Sequence, residues 1–389
     1  MTPSTADERI VPKDPTGLNS EERKPPAFPE GGFQAWATVA GAFLVLFCGL
    51  GYSYSFGVFQ EFYTRDYLSQ SSASAISWIG SVNSLLLIAP GLITGRLYDR
   101  GYFYHLLYGG SLLLSFSLFM LSFCKPQKFY QIFLAHGLGA GLGTGMAYLP
   151  SITVVSHYFQ RRRSLAMIIV SSGAAFRSVV HPIMLNNTLR RLGFTNAVRA
   201  SAGLVSGLLL IACIMMRLRL PPSAIHLPFW KSLRRFSRDK AYVFATMGLT
   251  TYIVGYYFPP FYLQLDAIQH GINQTLSFYS VSILALRAFK HIDSPLMPPL
   301  LVVLTEDLGE LGLRMGVAFT VVGIGGLIGP PIDGALLTDK YIWWRPALFS
   351  GIMAFVGVAF FVATLFVVKR RDATKSKVSG KQKSSADGE

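Results

Sequence analysis

Between residues 36 and 368 the chain is divided into apolar stretches long enough to cross a bilayer, and they are unevenly shared. Six lie before Met216 and four after it: 36–59, 75–93, 104–123, 132–155, 165–184 and 200–216, then 242–263, 276–289, 317–337 and 346–368. A helix rises 1.5 Å per residue, so about 20 apolar residues cross a hydrocarbon core of about 30 Å. Lipid offers no partner to a free backbone N–H or C=O, which makes each span a helix and the fold class an all-α membrane protein. The apolar run 296–304 is too short to cross alone and is expected not to.

Charged residues make up 14% of the chain, against about 25% in soluble domains, which argues against a water-facing globule. The net charge of +15 sits between and after the spans, with no basic face carrying interleaved aromatics, so nucleic acid is not an expected partner. The lipid bilayer is. With the N-terminus inside, Arg96 and Arg100, then Arg161, Arg162 and Arg163, then the basic segment from Arg217 to Lys240, and finally the tail after Val368 all fall on the cytoplasmic side. The expected organisation is a disordered cytoplasmic tail (1–34), a six-helix bundle (35–216), a basic linker (217–240), a shortened second bundle (241–368) and a disordered basic tail (369–389). Cys48, Cys124 and Cys213 read as small apolar residues, with no metal-ligand spacing, and no cofactor is expected.

Three strings narrow the reading. Gly95-Arg96-Leu97-Tyr98-Asp99-Arg100-Gly101 follows the second span, where glycine permits close helix packing and the charges can pair with helix ends. It resembles the loop between helices two and three of the major facilitator superfamily. Glu30-Gly31-Gly32-Phe33-Gln34-Ala35-Trp36, before the first span, and Tyr158-Phe159-Gln160-Arg161-Arg162-Arg163-Ser164-Leu165-Ala166, opening the fifth, are similar to the two signatures of the monocarboxylate transporter family. Gly329, Pro330, Pro331 and Gly334 in the second-to-last span resemble that family's eleventh helix. The resemblance implies a two-bundle helical fold with 12 helices, of which this chain has about 10. It places the gap between Leu286 and Leu304, where helices nine and ten are expected.

Ionisable and polar groups at membrane depth mark sites by default, because burying them is costly. Arg177 falls where the family has small residues, and it reads either as an anion-binding group or as a snorkelled or damaging substitution. His136 and His181 are each a proton relay or a hydrogen-bonded packing residue. Asn83 binds a neighbouring helix or a substrate, and Tyr52, Tyr54, Tyr252, Tyr256 and Tyr257 line a cavity or pack. Arg287 is the candidate for the charged helix-eight position that the resemblance implies. No membrane carboxylate is singled out as a proton carrier.

The glycines at 137, 141 and 145 make one smooth face for a close helix neighbour. Gly95, Asp99, Arg100, Arg162, Arg163, Gly329, Pro330 and Pro331 form the expected gating and packing motifs, and Asn186 and Asn273 are glycosylation sequons placed outside. No phosphate loop, catalytic triad or metal motif is present, so an enzyme is not expected. The resulting expectation is a plasma-membrane secondary transporter, glycosylated and of fungal type. By this reading it moves a small carboxylate, a vitamin-like molecule or a secondary metabolite by alternating access, with proton coupling open. The rival is a truncated or misjoined, non-transporting membrane protein derived from one.

Overall fold

The computed structural model describes residues 29–50, 56–219, 229–273, 300–301, 304–305, 311–338 and 342–386. All secondary structure among them is helical: α1 (Phe33–Cys48), α2 (Phe56–Phe62), α3 (Ala73–Ile88), α4 (Gly91–Asp99), α5 (Phe103–Leu121) and α6 (Phe129–Val155) come first. A helical run Arg163–Met215 follows, with two apolar arms, α7 (Arg163–Leu189) and α8 (Arg191–Met215), broken at Gly193. Gly193 has φ 72° and ψ 170°, a conformation open to glycine but strained for other residues, and it lets the chain turn back. Then come α9 (Phe229–Arg238), α10 (Lys240–Tyr256), α11 (Phe258–Gln269), α12 (Leu311–Leu337) and α13 (Trp344–Ala386).

Seven helices among the described residues are long and apolar enough to cross a membrane, against the ten spans expected. The difference has physical causes. The first span divides into α1 and α2, and the seventh bends at Tyr257, where Pro259 and Pro260 follow and supply no N–H to the preceding turn. The span expected at 276–289 lies outside the described residues. Large apolar side chains face outward on the helices, among them Phe355 at 79% and Leu112 at 72% exposure. Such a surface is matched by lipid rather than water.

Two expectations about the tails differ from the structure. Helix α13 continues to Ala386, through the basic segment expected to be disordered, since a helix already nucleated in the membrane extends at one hydrogen bond per residue. Glu30, assigned to the N-terminal tail, is docked against a distant turn.

Helices α1 to α8 make one bundle and α10 to α13 the second. They meet where α12 lies along both α3 and α4, and where α11 packs against α2. Helix α6 is squeezed between α3 and α5, and its glycines serve both sides. A Cβ at Gly137 or Gly141 would fall 3.2 Å from the Ile79 carbonyl oxygen or 2.9 Å from Asn83 Cα, while one at Gly143 would fall 2.5 Å from the Leu114 nitrogen.

Candidate functional site

The seam between the bundles is built from backbone against backbone. A Cβ on Gly95 would fall 2.6 Å from the Gly312 carbonyl oxygen, and one on Gly316 would fall 2.8 Å from the Gly91 carbonyl carbon. Thr320 Oγ1 donates to the Ala89 carbonyl at 3.0 Å, tying α12 to the bend between α3 and α4. On its other side α12 presents Gly325 and Gly329 to the carbonyls of Thr250 and Val254 on α10. Small residues of this kind let helices approach closely in lipid, where packing rather than hydrophobicity drives association.

At the face where α1 begins, here the terminal face, charged side chains gather about the start of α12. The half-buried Asp99 carboxyl lies over Gly312 in the first turn of α12, across the seam. Gly101, with φ 91°, reverses the chain immediately after. Asp239 caps α10 by accepting from the Ala241 and Tyr242 N–H groups, and it pairs with Arg314 of α12. The Arg314 guanidinium also stacks over the rings of Tyr242 and Phe236, at 4.6 and 5.4 Å. Arg100 is exposed, and Arg96 lies over Phe229, 4.7 Å from its centroid.

The two signature strings prove to be one structural unit. The Glu30 carboxylate accepts from the backbone N–H groups of Gln160, Arg161 and Arg162, at 2.8, 2.7 and 3.2 Å. Trp36 meets Phe159 edge to face at 5.2 Å. Those three amides precede α7, so the carboxylate fills the role of an N-terminal cap supplied from 130 residues away. The Arg161 amide, first among these donors, holds the Glu30 carboxyl below its ordinary range. Arg163 begins α7 half-buried, and Arg162 beside it is exposed. His157, in the same turn, bonds the Tyr98 hydroxyl at 3.0 Å. Burial first, and the Arg163 and Arg219 charges second, lower its pKa to about 4, so it is neutral at cellular pH.

Towards the opposite face the contacts are uncharged hydroxyls and amides. Ser77 Oγ and the Tyr262 hydroxyl are 2.6 Å apart across the seam, Gln60 Nε2 donates to Ser77 at 3.2 Å, and Tyr262 donates to the Pro330 carbonyl at 3.2 Å. Pro330 and Pro331 thus sit at a weakened turn of α12, since neither offers an N–H. Asn83 and His136, both buried, are brought together: Asn83 Nδ2 donates to the His136 carbonyl at 2.8 Å, and His136 Nδ1 meets the Tyr63 hydroxyl at 3.1 Å.

The remaining candidates scatter. Arg177 is 1% exposed, so it does not snorkel; its guanidinium lies over the Phe47 ring at 5.0 Å within the first bundle. His181 bonds Ser201 at 3.0 Å. Tyr252 and Tyr256 stack 5.7 Å apart on α10, with Tyr252 against Gly357 of α13. Tyr52, Tyr54 and Arg287 lie outside the described residues. Asn273 is exposed after α11, whereas Asn186 stands within helical backbone, where Thr188 of its sequon bonds the Met184 carbonyl. Sequence reasoning passed over Asp333, a fully buried carboxylate two residues after Pro331. Its signal was a lone acid in an otherwise uncharged stretch of α12.

A seam of glycines thus joins two helical bundles. The Major Facilitator Superfamily profile matches residues 41–289, well over half of the chain. The chain belongs to the Major Facilitator Superfamily. It is similar to MFS-type transporter 1 of Ophiocordyceps sp., 30% identical with 94% of this chain and 91% of that protein covered. It is also similar to the aspyridones efflux protein apdF of Emericella nidulans, 32% identical with 93% and 83% covered. Among solved structures, one of a bacterial homologue of the human drug peptide transporters PepT1 and PepT2 superposes with a TM-score of 0.59 at 12% identity, covering 89% of this chain and 100% of that one. That likeness shows the fold alone.

Membership in the superfamily makes this chain an integral membrane transporter of small molecules without enzymatic activity. The alignment to the Ophiocordyceps protein runs over 417 positions but draws on 94% of a 389-residue chain, so about 50 positions carry residues in the relative only. At 1.5 Å per residue that is roughly two membrane helices of length.

Proposed function

We propose that this superfamily member is a secondary transporter that exports a small organic acid or a secondary metabolite across the plasma membrane by alternating access. In this reading the terminal face is cytoplasmic, and the resemblance to the monocarboxylate family supplies the carboxylate. The observation that carries it is the α3/α4 seam with α12: backbones in direct contact, with the Asp99 carboxyl on the first turn of α12 at one end and the Ser77–Tyr262 hydroxyl contact at the other. Two different closures on one seam suit a machine that opens its ends in turn. The efflux assignments of relatives such as apdF and the agnestins efflux protein AgnL12 of Paecilomyces divaricatus support the export direction.

The test is reconstitution. Proteoliposomes containing the folded protein are loaded with radiolabelled pyruvate or a labelled aromatic carboxylic acid, and counterflow is measured. Saturable, protein-dependent exchange of either probe, abolished by Gly316→Leu, is the expected result. A second reading, a membrane protein derived from a transporter but unable to transport, rests on the roughly 50 absent positions. Monodisperse protein that moves neither probe, together with unchanged metabolite partition between cells and medium after gene deletion, favours that reading over the first.

A further inference from the structure

Asp333 combines three features that no packing role requires. Its side chain is 0% exposed, inside an apolar span. Its hydrogen-bond partner among the described residues is a hydroxyl, Ser350 Oγ of α13 at 3.4 Å from Oδ1, and Oδ2 has none among them. It also lies on the segment of α12 beyond Pro330 and Pro331, where the helix is weakened. A carboxylate buried without a cation is expensive, whereas a neutral carboxyl next to a hydroxyl is tolerated.

Among the described residues, the charged and titratable groups on the packed elements leave this carboxyl without a counter-ion; Arg287, Lys290, Asp339 and Lys340 lie outside them. Helix α3 has no ionisable side chain. On α11 the titratable groups are Tyr262, whose hydroxyl lies 2.6 Å from where a Cβ on Gly334 would stand, and the half-buried Asp266, whose Oδ1 is 3.0 Å from the exposed His270 ring. Helix α10 offers Lys240 and Tyr242 at the terminal face, and Tyr252 and Tyr256 further along. Helix α13 offers the exposed Arg345 at its start and basic residues only from Lys369 onward, while α12 itself carries Arg314, engaged by Asp239 near its far end.

The same turn of α12 forms the hydroxyl closure. The Pro330 carbonyl accepts the Tyr262 hydroxyl, and a Cβ on Gly334 would fall 3.3 Å from Ser74 Cα of α3. We propose that Asp333 is a proton-binding site whose occupancy controls this closure. With the carboxyl protonated, Tyr262 spends its single O–H on Pro330 and holds Ser77 across the seam. When the proton leaves to water admitted from that face, the carboxylate needs donors, and it competes for the Tyr262 proton and favours the hydrated, open arrangement. The site deepens the transporter reading and rests on it, because it ties proton release to opening at the face opposite the termini.

Infrared difference spectroscopy on protein in lipid nanodiscs reads the proton directly, without any cargo. The carbonyl stretch of a protonated, buried carboxyl is expected to disappear on raising the pH and to be missing in Asp333→Asn. In parallel, a Ser74→Cys variant is treated with a membrane-impermeant maleimide, with the parent protein as blank. Its labelling rate is expected to rise several-fold from acid to alkaline pH, and to stay low and flat when Asp333→Asn, a mimic of the protonated state, is added. An unchanged band in Asp333→Asn, or the same pH dependence of labelling in both backgrounds, overturns the proposal. So does loss of the band on adding sodium at constant pH, which makes the site one for a metal cation. The spectroscopic arm holds even for a protein that transports neither probe, so its failure is distinguishable from failure of the transporter reading.

Discussion

The two ends of one helix seam are built from different chemistry. At the terminal face, Asp99 sits on the first turn of α12 and Arg314 is paired with Asp239 and stacked on two rings. At the other end, Ser77, Tyr262 and Gln60 share neutral hydrogen bonds, and Asp333, three residues after Pro330, has no counter-ion among the described residues. The Asp239–Arg314 pair braces α10 against α12 within the second bundle, and at that end the seam itself is crossed by Asp99 over Gly312. A hydroxyl network is weak, roughly 1 kcal/mol per bond, and yields to a change in one nearby charge. The contrast sets a helix start braced by an ion pair at the terminal face against a hydroxyl contact at its opposite, where the proposed switch acts.

The comparison can be broken at its strongest point first. Asp239→Asn strands Arg314, whose side chain is 7% exposed, and is expected to cost about 3 kcal/mol, read as lower thermal stability in detergent. Adding Arg314→Met should recover most of that loss, because the unpaired charge goes with it. Next in size is the middle of the seam. Gly316→Ala places a Cβ against the Gly91 backbone and is expected to cost about 2 kcal/mol, whereas Ala at Gly203, with open space around it, should leave stability unchanged. Tyr262→Phe removes one hydroxyl and leaves Ser77 and the Pro330 carbonyl to find other partners. A loss of about 1 kcal/mol is expected, with faster maleimide labelling of Ser74→Cys.

The smallest effect concerns Glu30, whose folded-state carboxyl lies below its ordinary value of 4.5 because backbone amides, that of Arg161 first, favour the charged form. A depressed folded value means the cap contributes fully above the ordinary value and is lost as pH falls through the lowered one. Trp36 emission should therefore change in that acid window in the wild type. Glu30→Gln should show no such step.

Much of the fold was legible because lipid imposes a simple rule on sequence: spans near 103–121, 129–155 and 344–368 fall close to where hydropathy drew them. The glycine string of α6 was half-read. The face made by Gly137, Gly141 and Gly145 was visible at spacing four, but the intervening Gly139 and Gly143 form a second face against α5. The docking of Glu30 on residues 160–162 was not legible, since nothing local in either string encodes a contact across 130 residues. Asp333 was missed for another reason: the proline and glycine pattern around it explained the helix so fully that the single acid drew no attention.

The account's central claim is that the seam opens at one end while the other stays closed. Spin labels at Gln70 and Trp344 report the face opposite the termini, and labels at Arg100 and Lys240 report the terminal face; all four side chains are exposed. Electron–electron resonance distances in nanodiscs should show the first pair lengthening at alkaline pH while the second holds or shortens. Two distances that stay fixed, or that lengthen together, would contradict the claim.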